Sequence, residues 1–471
     1  MACTTILVGK KASYDGSTLI ARNDDSPSGV FTPKAMKVML PSEQPREYVS
    51  QISHCKITLP DNPLRYTLMP NVDPKEGIWG AQGVNEANVS MSATETITTN
   101  ARVLGADPFV KTGIGEEDLV VLVLPYIHSA KEGVLRLGAL LEKYGTYEPN
   151  GIAFGDSNDI WWLETIGGHH WIARRVPDDS YVMMPNQFGL DRFDFDDAYG
   201  EQKENLCSSD LKDFVSRYHL DLSNGRPFSP RLAFGSHSDS DHVYNTPRAW
   251  YMGRYFNPRT YRWDGENADF TPESDDLPWC LVPEHKITVE EVKYILSSHY
   301  QGTPYDPYGK SKDPFRAYRP IGISRTSFLS CLQIRNRVPK EYAAIEWVAF
   351  GSNAFNAFVP LYPNVTKLPS YFTNTTLDVD SHNFYWASRL IGALSDAHYA
   401  ATSSIIQRYE LAVMSRCRHA MHEAETEANF SREETNEILA HIAEEETQKT
   451  LNQVLYVASC EMKNGFSLSD R

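Results

Sequence analysis

The stretch Met1-Ala2-Cys3-Thr4-Thr5-Ile6-Leu7-Val8-Gly9 decides how this chain is interpreted. Thr4 to Lys10 is typical of a strand, Asp15-Gly16 of a tight turn, and Ser17 to Arg22 of a returning strand. The pattern therefore predicts an N-terminal β-hairpin, with Cys3 at the start of its first strand.

Cys3 is the first candidate for chemistry. If Met1 and Ala2 are removed, Cys3 carries a thiol and a free α-amine on one residue. The amine titrates near ~8 and the thiol near ~8.5 in small peptides, so the amine can act as general base for its own side chain. The alternative is a small, semi-apolar residue that fills a strand, and position alone favours that alternative.

Composition narrows the class of protein. The 471 residues carry a net charge of -16, which disfavours nucleic acid and anionic membranes as partners. The seven cysteines are widely spaced and form no C-x-x-C pair, which favours a reduced, cytoplasmic protein. We find no signal-peptide pattern and no apolar segment long enough to span a bilayer. The expected partner is a small-molecule substrate, and no metal or cofactor is expected.

The order of elements predicts the architecture. Strand patterns come first, helical patterns next and strand patterns again, which indicates two sheets with helices packed outside them. Two early helices are predicted, Glu116 to Leu124 with its acidic residues in the first turn, and Ser129 to Tyr144 with a capping box. After about Ser381 the composition becomes rich in Glu, Ala, His and Gln. We therefore divide the chain into a core over residues 1–380 and a C-terminal helical region over 381–471. These amphipathic helices favour homo-oligomer contacts or packing onto the same subunit.

The returning strand ends in Arg22-Asn23-Asp24-Asp25. The hairpin folds Arg22 back to the level of Cys3, where a guanidinium favours the thiolate. Asp25 is predicted to accept a hydrogen bond from the α-amine. The alternative is a surface ion pair of little energetic value.

Two asparagines and two arginines complete the candidates. Asn85 and Asn186 could each donate to an oxyanion, although both are also typical turn residues. Arg231 and Arg248 each follow a proline, and either could orient the cluster or bind a substrate carboxylate. A surface arginine is the alternative for both.

Longer motifs add a family resemblance. The opening Met1 to Thr18, the stretch Gly83-Val84-Asn85-Glu86-Ala87-Asn88-Val89-Ser90 and Tyr244-Asn245-Thr246-Pro247-Arg248 resemble the dipeptidase A family. These are bacterial cysteine dipeptidases of the N-terminal-nucleophile hydrolase superfamily, more distantly related to penicillin V acylases and bile salt hydrolases. The resemblance implies a four-layer αββα fold with two stacked antiparallel sheets.

The resemblance also implies an active site. Carried over residue by residue, it implies catalytic roles for Cys3, Arg22, Asp25, Asn85 and Asn186. The second arginine of the site is ambiguous: Arg231 fits the spacing better, which leaves Arg248 for substrate binding.

The sequence therefore leaves three alternative functions to be tested. The first is a cysteine dipeptidase that removes Met1-Ala2 by autocatalysis and uses the Cys3 amine as base. The second is an amidase acting on N-acyl amino acids or β-lactam side chains, and the third is a non-catalytic scaffold. An intact set of Cys, R-x-x-D and Asn argues against a scaffold.

Overall fold

The computed structural model describes residues 3–310, 317–427 and 429–463. Within these ranges the strands are β1 (Thr4–Val8), β2 (Thr18–Asp25), β3 (Lys37–Met39), β4 (Glu47–Val49), β5 (Lys56–Thr58), β6 (Tyr66–Leu68), β7 (Gln82–Val84), β8 (Ser90–Thr96), β9 (Asn150–Gly155), β10 (Ile160–Ile166), β11 (His170–Arg175), β12 (Tyr181–Met184), β13 (Asn205–Cys207), β14 (Cys280–Leu281), β15 (Thr326–Ile334), β16 (Ala344–Phe350) and β17 (Val359–Leu361).

The helices of the same ranges are α1 (Ala101–Ala106), α2 (Leu119–Val123), α3 (Ala130–Tyr144), α4 (Phe195–Tyr199), α5 (Leu211–Arg217), α6 (Pro230–Phe234), α7 (Asp239–Tyr244), α8 (Thr246–Phe256), α9 (Val289–Leu296), α10 (Ser370–Thr373), α11 (Phe384–Asp396), α12 (Tyr399–Thr426) and α13 (Arg432–Glu461).

Two antiparallel sheets form the centre of the molecule. Among the described residues, one sheet has seven strands in the order β14-β12-β1-β2-β15-β16-β17, and the other has six in the order β13-β11-β10-β9-β8-β7. The predicted hairpin supplies β2, the central strand of the seven-stranded sheet, and its neighbour β1, with Thr5 opposite Arg22. Because both are interior strands, the hairpin fixes the position of the residues at its open end, including Cys3.

Within the described ranges, three apolar cores separate four layers. Along β1, Leu7 packs between the two sheets, whereas Ile6 and Val8 pack on the other face of their sheet. This alternation is the two-residue period of a strand that is buried on both faces. Helices α8, α9 and α11 to α13 share the core outside the seven-stranded sheet, and α2 and α3 share the core outside the six-stranded sheet. The predicted αββα order of layers is confirmed.

The predicted start of the first helix, at Glu116, is wrong. The helix α2 covers only Leu119–Val123, and Glu116 to Asp118 lie in the loop before it. The acidic side chains of this loop are buried instead of lying at an exposed helix end. By contrast, α3 begins as predicted, with the Ser129 side chain accepting a hydrogen bond from the Glu132 backbone N–H.

The C-terminal helices share a core with the seven-stranded sheet. Ile391, Val413 and Leu439 belong to the same apolar cluster as Trp347 of β16. The predicted division at residue 380 stays a prediction. Among the described residues, no helix is both long and apolar enough to cross a membrane.

Candidate active site

The open end of the β1–β2 hairpin brings Cys3 next to Arg22. Thr5 pairs with Arg22 and Thr4 with Asn23, so one further step places Cys3 opposite Asp24. Since side chains two apart on a strand share a face, Arg22 and Asp24 lie on the face of Cys3. Arg22 Nη2 donates to Cys3 Sγ over 3.4 Å, and both side chains are fully buried.

A second cation joins this cluster. Arg22 Nη2 also donates to Asp24 Oδ1 at 2.5 Å, and Lys34 Nζ lies 3.6 Å from Asp24 Oδ2. Lys34 is fully buried, and this burial lowers its pKa, while the Asp24 carboxylate opposes the fall. The surroundings of the Cys3 thiol are therefore charged and dry, which strengthens each electrostatic interaction.

Asp25 lies on the opposite face of β2 from Arg22. Its carboxylate accepts from Arg319 Nη2 and from Thr326 Oγ1, the latter at 2.5 Å. Asp24 was not among the sequence candidates, although the two-residue period from Arg22 was a signal for it.

Glu116 is a further residue that the sequence did not assign to the site. One of its carboxyl oxygens lies within 4.8 Å of both Cys3 Sγ and an Asp24 carboxyl oxygen. Burial raises the pKa of Glu116 to about 8; nearby positive charges, Arg22 among them, oppose the rise, and the Glu148 and Asp24 carboxylates add to it. Three consecutive acids after Gly113-Ile114-Gly115 are typical of a helix start, so no local signal marked Glu116.

The Cys3 sulfur and one carboxyl oxygen each of Asp24 and Glu116 are also close enough together to share a metal ion. However, Arg22 and Lys34 already supply two positive charges beside Asp24. A further cation would be repelled by both, so the arrangement is suited to holding a thiolate rather than a metal.

Arg248 connects Cys3 with Asn186. Arg248 Nη1 donates to the Cys3 carbonyl oxygen and to Thr4 Oγ1, both at 2.5 Å. Its Nη2 donates to Asn186 Oδ1 and to Asn245 Oδ1, both at 2.8 Å. With Nε bound to the Tyr244 carbonyl oxygen, all five N–H groups of the guanidinium are used inside the protein. Arg248 therefore fixes the nucleophile's backbone and the orientation of the Asn186 amide at once.

Arg231 contacts main chain instead. It donates to the carbonyl oxygens of Gly189, Asp275 and Leu277, at 2.6, 3.1 and 2.7 Å. These bonds hold the loop that follows Asn186. Of the two arginines, Arg248 is the one whose described contacts reach Cys3.

Asn85 makes four hydrogen bonds with main chain. Its Nδ2 donates to the carbonyl oxygens of Leu124 and Ile127, and its Oδ1 accepts from the N–H groups of Ala87 and Val89. These bonds use every donor of the amide and both lone pairs of its oxygen. The oxyanion role of Asn85 stays a prediction, and these contacts do not favour it.

Known proteins match the chain over most of its length. The profile of peptidase family C69 matches residues 2–412. A "Dipeptidase" of Bifidobacterium longum is 54% identical over 532 aligned positions, covering 100% of both chains. A "Probable dipeptidase A" of Streptococcus pyogenes is 55% identical over 477 positions, again covering 100% of both.

A more distant relative and one solved structure complete the comparison. "Dipeptidase A" of Lactobacillus helveticus is 47% identical, covering 93% of this chain and 91% of the relative. Penicillin V acylase from Agrobacterium tumefaciens overlaps with a TM-score of 0.34 at 14% identity, covering 81% of this chain and 92% of that one, which is too weak to support an argument. The family match and the full-length identities suffice: this chain belongs to peptidase family C69.

Proposed function

We propose that this protein is a cysteine dipeptidase with Cys3 as its nucleophile. The observation that carries the proposal is the hydrogen bond from Arg22 Nη2 to Cys3 Sγ within a buried, charged cluster. The names of the full-length relatives support the substrate class.

The catalytic cycle starts with the thiolate. Arg22 stabilises the Cys3 thiolate, and Asp24 holds the guanidinium in place. The sulfur attacks the peptide carbonyl and forms a tetrahedral oxyanion, which collapses to a thioester as the leaving amine takes up the proton that the Cys3 α-amine received from the thiol. Water then hydrolyses the thioester and releases the first amino acid.

Asn186 is the proposed oxyanion donor. Because its Oδ1 accepts from Arg248, the orientation of the amide is fixed, and its Nδ2 group is the part that can donate to the substrate. A donor fixed in advance costs little reorganisation when the charge develops. Arg248 thus acts as a positioning residue in this proposal.

The α-amine of Cys3 is the proposed general base, which requires removal of Met1 and Ala2. Both residues lie outside the described ranges. Cys3 is 0% exposed, so a dipeptide reaches the thiol only after neighbouring groups leave. Removing the two residues joined to the Cys3 nitrogen would free the amine.

Intact mass and activity together test this mechanism. The wild-type protein should start at Cys3 and hydrolyse dipeptides, whereas Cys3→Ala should keep Ala2 and be inactive. A wild-type protein that keeps Ala2 and still hydrolyses dipeptides would contradict the amine as base. The alternative amidase activity is checked by the same assay with N-acyl amino acids, since a dipeptidase should require the free amine.

We also propose a cytoplasmic location. All seven cysteines lie in the described ranges and none of them is in a disulfide, which supports a reducing compartment.

A further inference from the structure

A series of side-chain hydrogen bonds leads from Asn186 through Arg248 into the interior of the protein. Arg248 Nη2, which donates to Asn186 Oδ1, also donates to Asn245 Oδ1 at 2.8 Å. The other end of the Asn245 amide, Nδ2, donates to Asp241 Oδ1 at 2.6 Å. Three buried side chains therefore lie in sequence behind the proposed oxyanion donor: Arg248, Asn245 and Asp241.

The local helical geometry brings these three side chains together. Asp241 lies on α7, Asn245 lies between α7 and α8, and Arg248 lies in the first turn of α8. Their spacing of four and then three residues puts side chains on one face of a helix. The Asn245 N–H also donates to the Asp241 carbonyl oxygen at 2.7 Å, so the backbone holds these two residues beside each other.

The chemistry of the groups fixes the direction of each hydrogen bond in this series. A carboxylate only accepts and a guanidinium only donates, whereas an amide has one end of each kind. Asp241 therefore holds the N–H end of the Asn245 amide, and the oxygen of that amide faces Arg248. By the same rule Arg248 holds the oxygen of the Asn186 amide, and the N–H group of Asn186 is directed away from the guanidinium.

The hydrogen bonds around Asp241 keep its carboxylate ionised. Its Oδ2 accepts from Ser236 Oγ, from the Ser238 N–H and from Ser238 Oγ, at 2.8, 2.8 and 2.9 Å. Burial opposes ionisation, but these bonds and the one from Asn245 outweigh it and lower the pKa of Asp241. The two oxygens thus have separate partners: Oδ2 binds the residues before α7, and Oδ1 binds Asn245.

Ser236 gives a second connection between Asp241 and the loop that carries Asn186. The Ser236 carbonyl oxygen accepts from Gln187 Nε2 at 3.3 Å, and Gln187 directly follows Asn186 in the sequence. Asp241 therefore reaches this loop both through Arg248 and through Ser236.

We propose that Asp241 and Asn245 are positioning residues that act through Arg248 to orient the amide of Asn186. This inference rests on the proposed function, in which that amide stabilises the tetrahedral oxyanion. Since an oxyanion contact forms only in the transition state, disturbing the series should lower kcat and leave KM nearly unchanged.

Asp241→Asn reverses the polarity of the first bond. The Ser238 N–H still needs an acceptor, so the new amide directs its own N–H group at Asn245. The Asn245 amide must then turn over, which sets its N–H group against the Arg248 guanidinium and disturbs the contact with Asn186. We expect kcat for Ala-Ala to fall by about 10- to 100-fold, with KM within about threefold of the wild-type value.

The decisive variant exchanges the two residues. Asn245→Asp alone sets two carboxylates against each other and should also have a low kcat. Asp241→Asn combined with Asn245→Asp restores one donor opposite one acceptor at this bond, and the introduced carboxylate still accepts from Arg248. We expect the kcat of this double variant to be about tenfold above that of either single variant, because neighbours in one hydrogen-bond network are coupled.

Ser238→Ala is the matched control. It removes a hydroxyl that donates to Asp241 Oδ2 before α7 and leaves the bond between Asp241 and Asn245 in place. It should lower the melting temperature and keep the kcat of the wild type. Thermal melts show which variants are folded, and Asn245→Ala, for which we also expect a fall in kcat, tests the same series if Asp241→Asn does not fold.

Three results would overturn the inference. An unchanged kcat in a folded Asp241→Asn or Asn245→Ala protein would exclude a positioning role. A double variant no more active than the single variants would mean that the bond between Asp241 and Asn245 has no part in catalysis. A fall in Ser238→Ala as large as that in Asp241→Asn would mean that Asp241 only stabilises α7. A wild-type protein that hydrolyses no dipeptide would instead contradict the proposed dipeptidase function itself.

Discussion

Two fully buried cysteines, one directly before β1 and one on β15 of the same sheet, have opposite surroundings. Cys3 and Cys331 are both 0% exposed. Cys3 contacts Arg22 and lies within 4.8 Å of carboxyl oxygens of Asp24 and Glu116. Cys331 lies on β15 in an apolar core, where burial raises the pKa of its thiol far above the ordinary value. Burial alone makes a thiol inert, and neighbouring charges decide whether it is suited to be a nucleophile.

Removing the nucleophile should have the largest effect. Cys3→Ala should lower kcat for dipeptides by more than about a thousandfold, because a covalent step has no other group to perform it. Steady-state kinetics with a thermal melt checks this, and the melting temperature should stay close to the wild-type value. Substantial turnover by a pure, folded variant would end the assignment of Cys3.

Removing the proposed oxyanion donor should have the next effect. Asn186→Ala should lower kcat by about 10²- to 10³-fold with a small change in KM, since the lost bond forms only in the transition state. Single-turnover measurement of thioester formation separates this from product release. A variant that changes KM alone would assign Asn186 to substrate binding instead.

The geometry of the Arg22 guanidinium should matter for activity as well as its charge. Arg22→Lys keeps the charge but loses the fork that reaches Sγ and Asp24 together. We expect a loss of about 10- to 100-fold in kcat/KM, from one or two charged hydrogen bonds. Arg136→Lys is a control on α3, where the guanidinium donates to the Leu122 carbonyl oxygen, and it should retain activity.

Replacing Cys331 should lower the stability of the fold and leave activity unchanged. Cys331→Ser places a hydroxyl in an apolar core, which costs about 1 to 3 kcal/mol of unfolding free energy. Denaturant unfolding measures this loss, and kcat/KM should be that of the wild type at temperatures where the variant is folded. A fall in kcat in the folded variant would contradict the division between the two thiols.

The cluster of Asp107, His169 and His170 lies outside the candidate site, and we expect it to make the stability of the fold depend on pH. Burial opposes ionisation of Asp107, but hydrogen bonds from His170 and His169 outweigh it and lower the pKa of Asp107 to about 2. The stability that this carboxylate contributes, up to about 2 kcal/mol, is present above about pH 4 and is lost as pH falls towards 2. Unfolding curves of the wild type and of Asp107→Asn should converge over that range, and parallel curves would contradict the prediction.

The sequence predicts the fold through its local signals. Asp15-Gly16 between two strand patterns is enough to predict the β1–β2 hairpin, and Ser129 with Glu132 is enough to predict where α3 begins. The order of strands and helices then leads to the αββα layers.

The residues around Cys3 depend on long-range contacts that the local signals do not contain. Three acids before an apolar run look like a helix start, so nothing local distinguishes Glu116 from a residue that complements a helix dipole. The choice between Arg231 and Arg248 depends on how α8 docks beside β1, which spacing along the chain does not encode. Asp24, in contrast, is predictable from the sequence, because a strand through Arg22 already fixes which of its neighbours share a face.

The most direct test of the central claim compares alkylation of the cysteines in the native protein. The processed enzyme is treated with iodoacetamide at pH 6.5, and the modified sites are located by peptide mass mapping while activity is followed. Cys460 is exposed and serves as the ordinary thiol in the same sample. The account predicts that Cys3 is modified faster than Cys460, that activity is lost in step with it, and that Cys331 is modified only after unfolding. Full modification of Cys3 with activity retained would contradict the account.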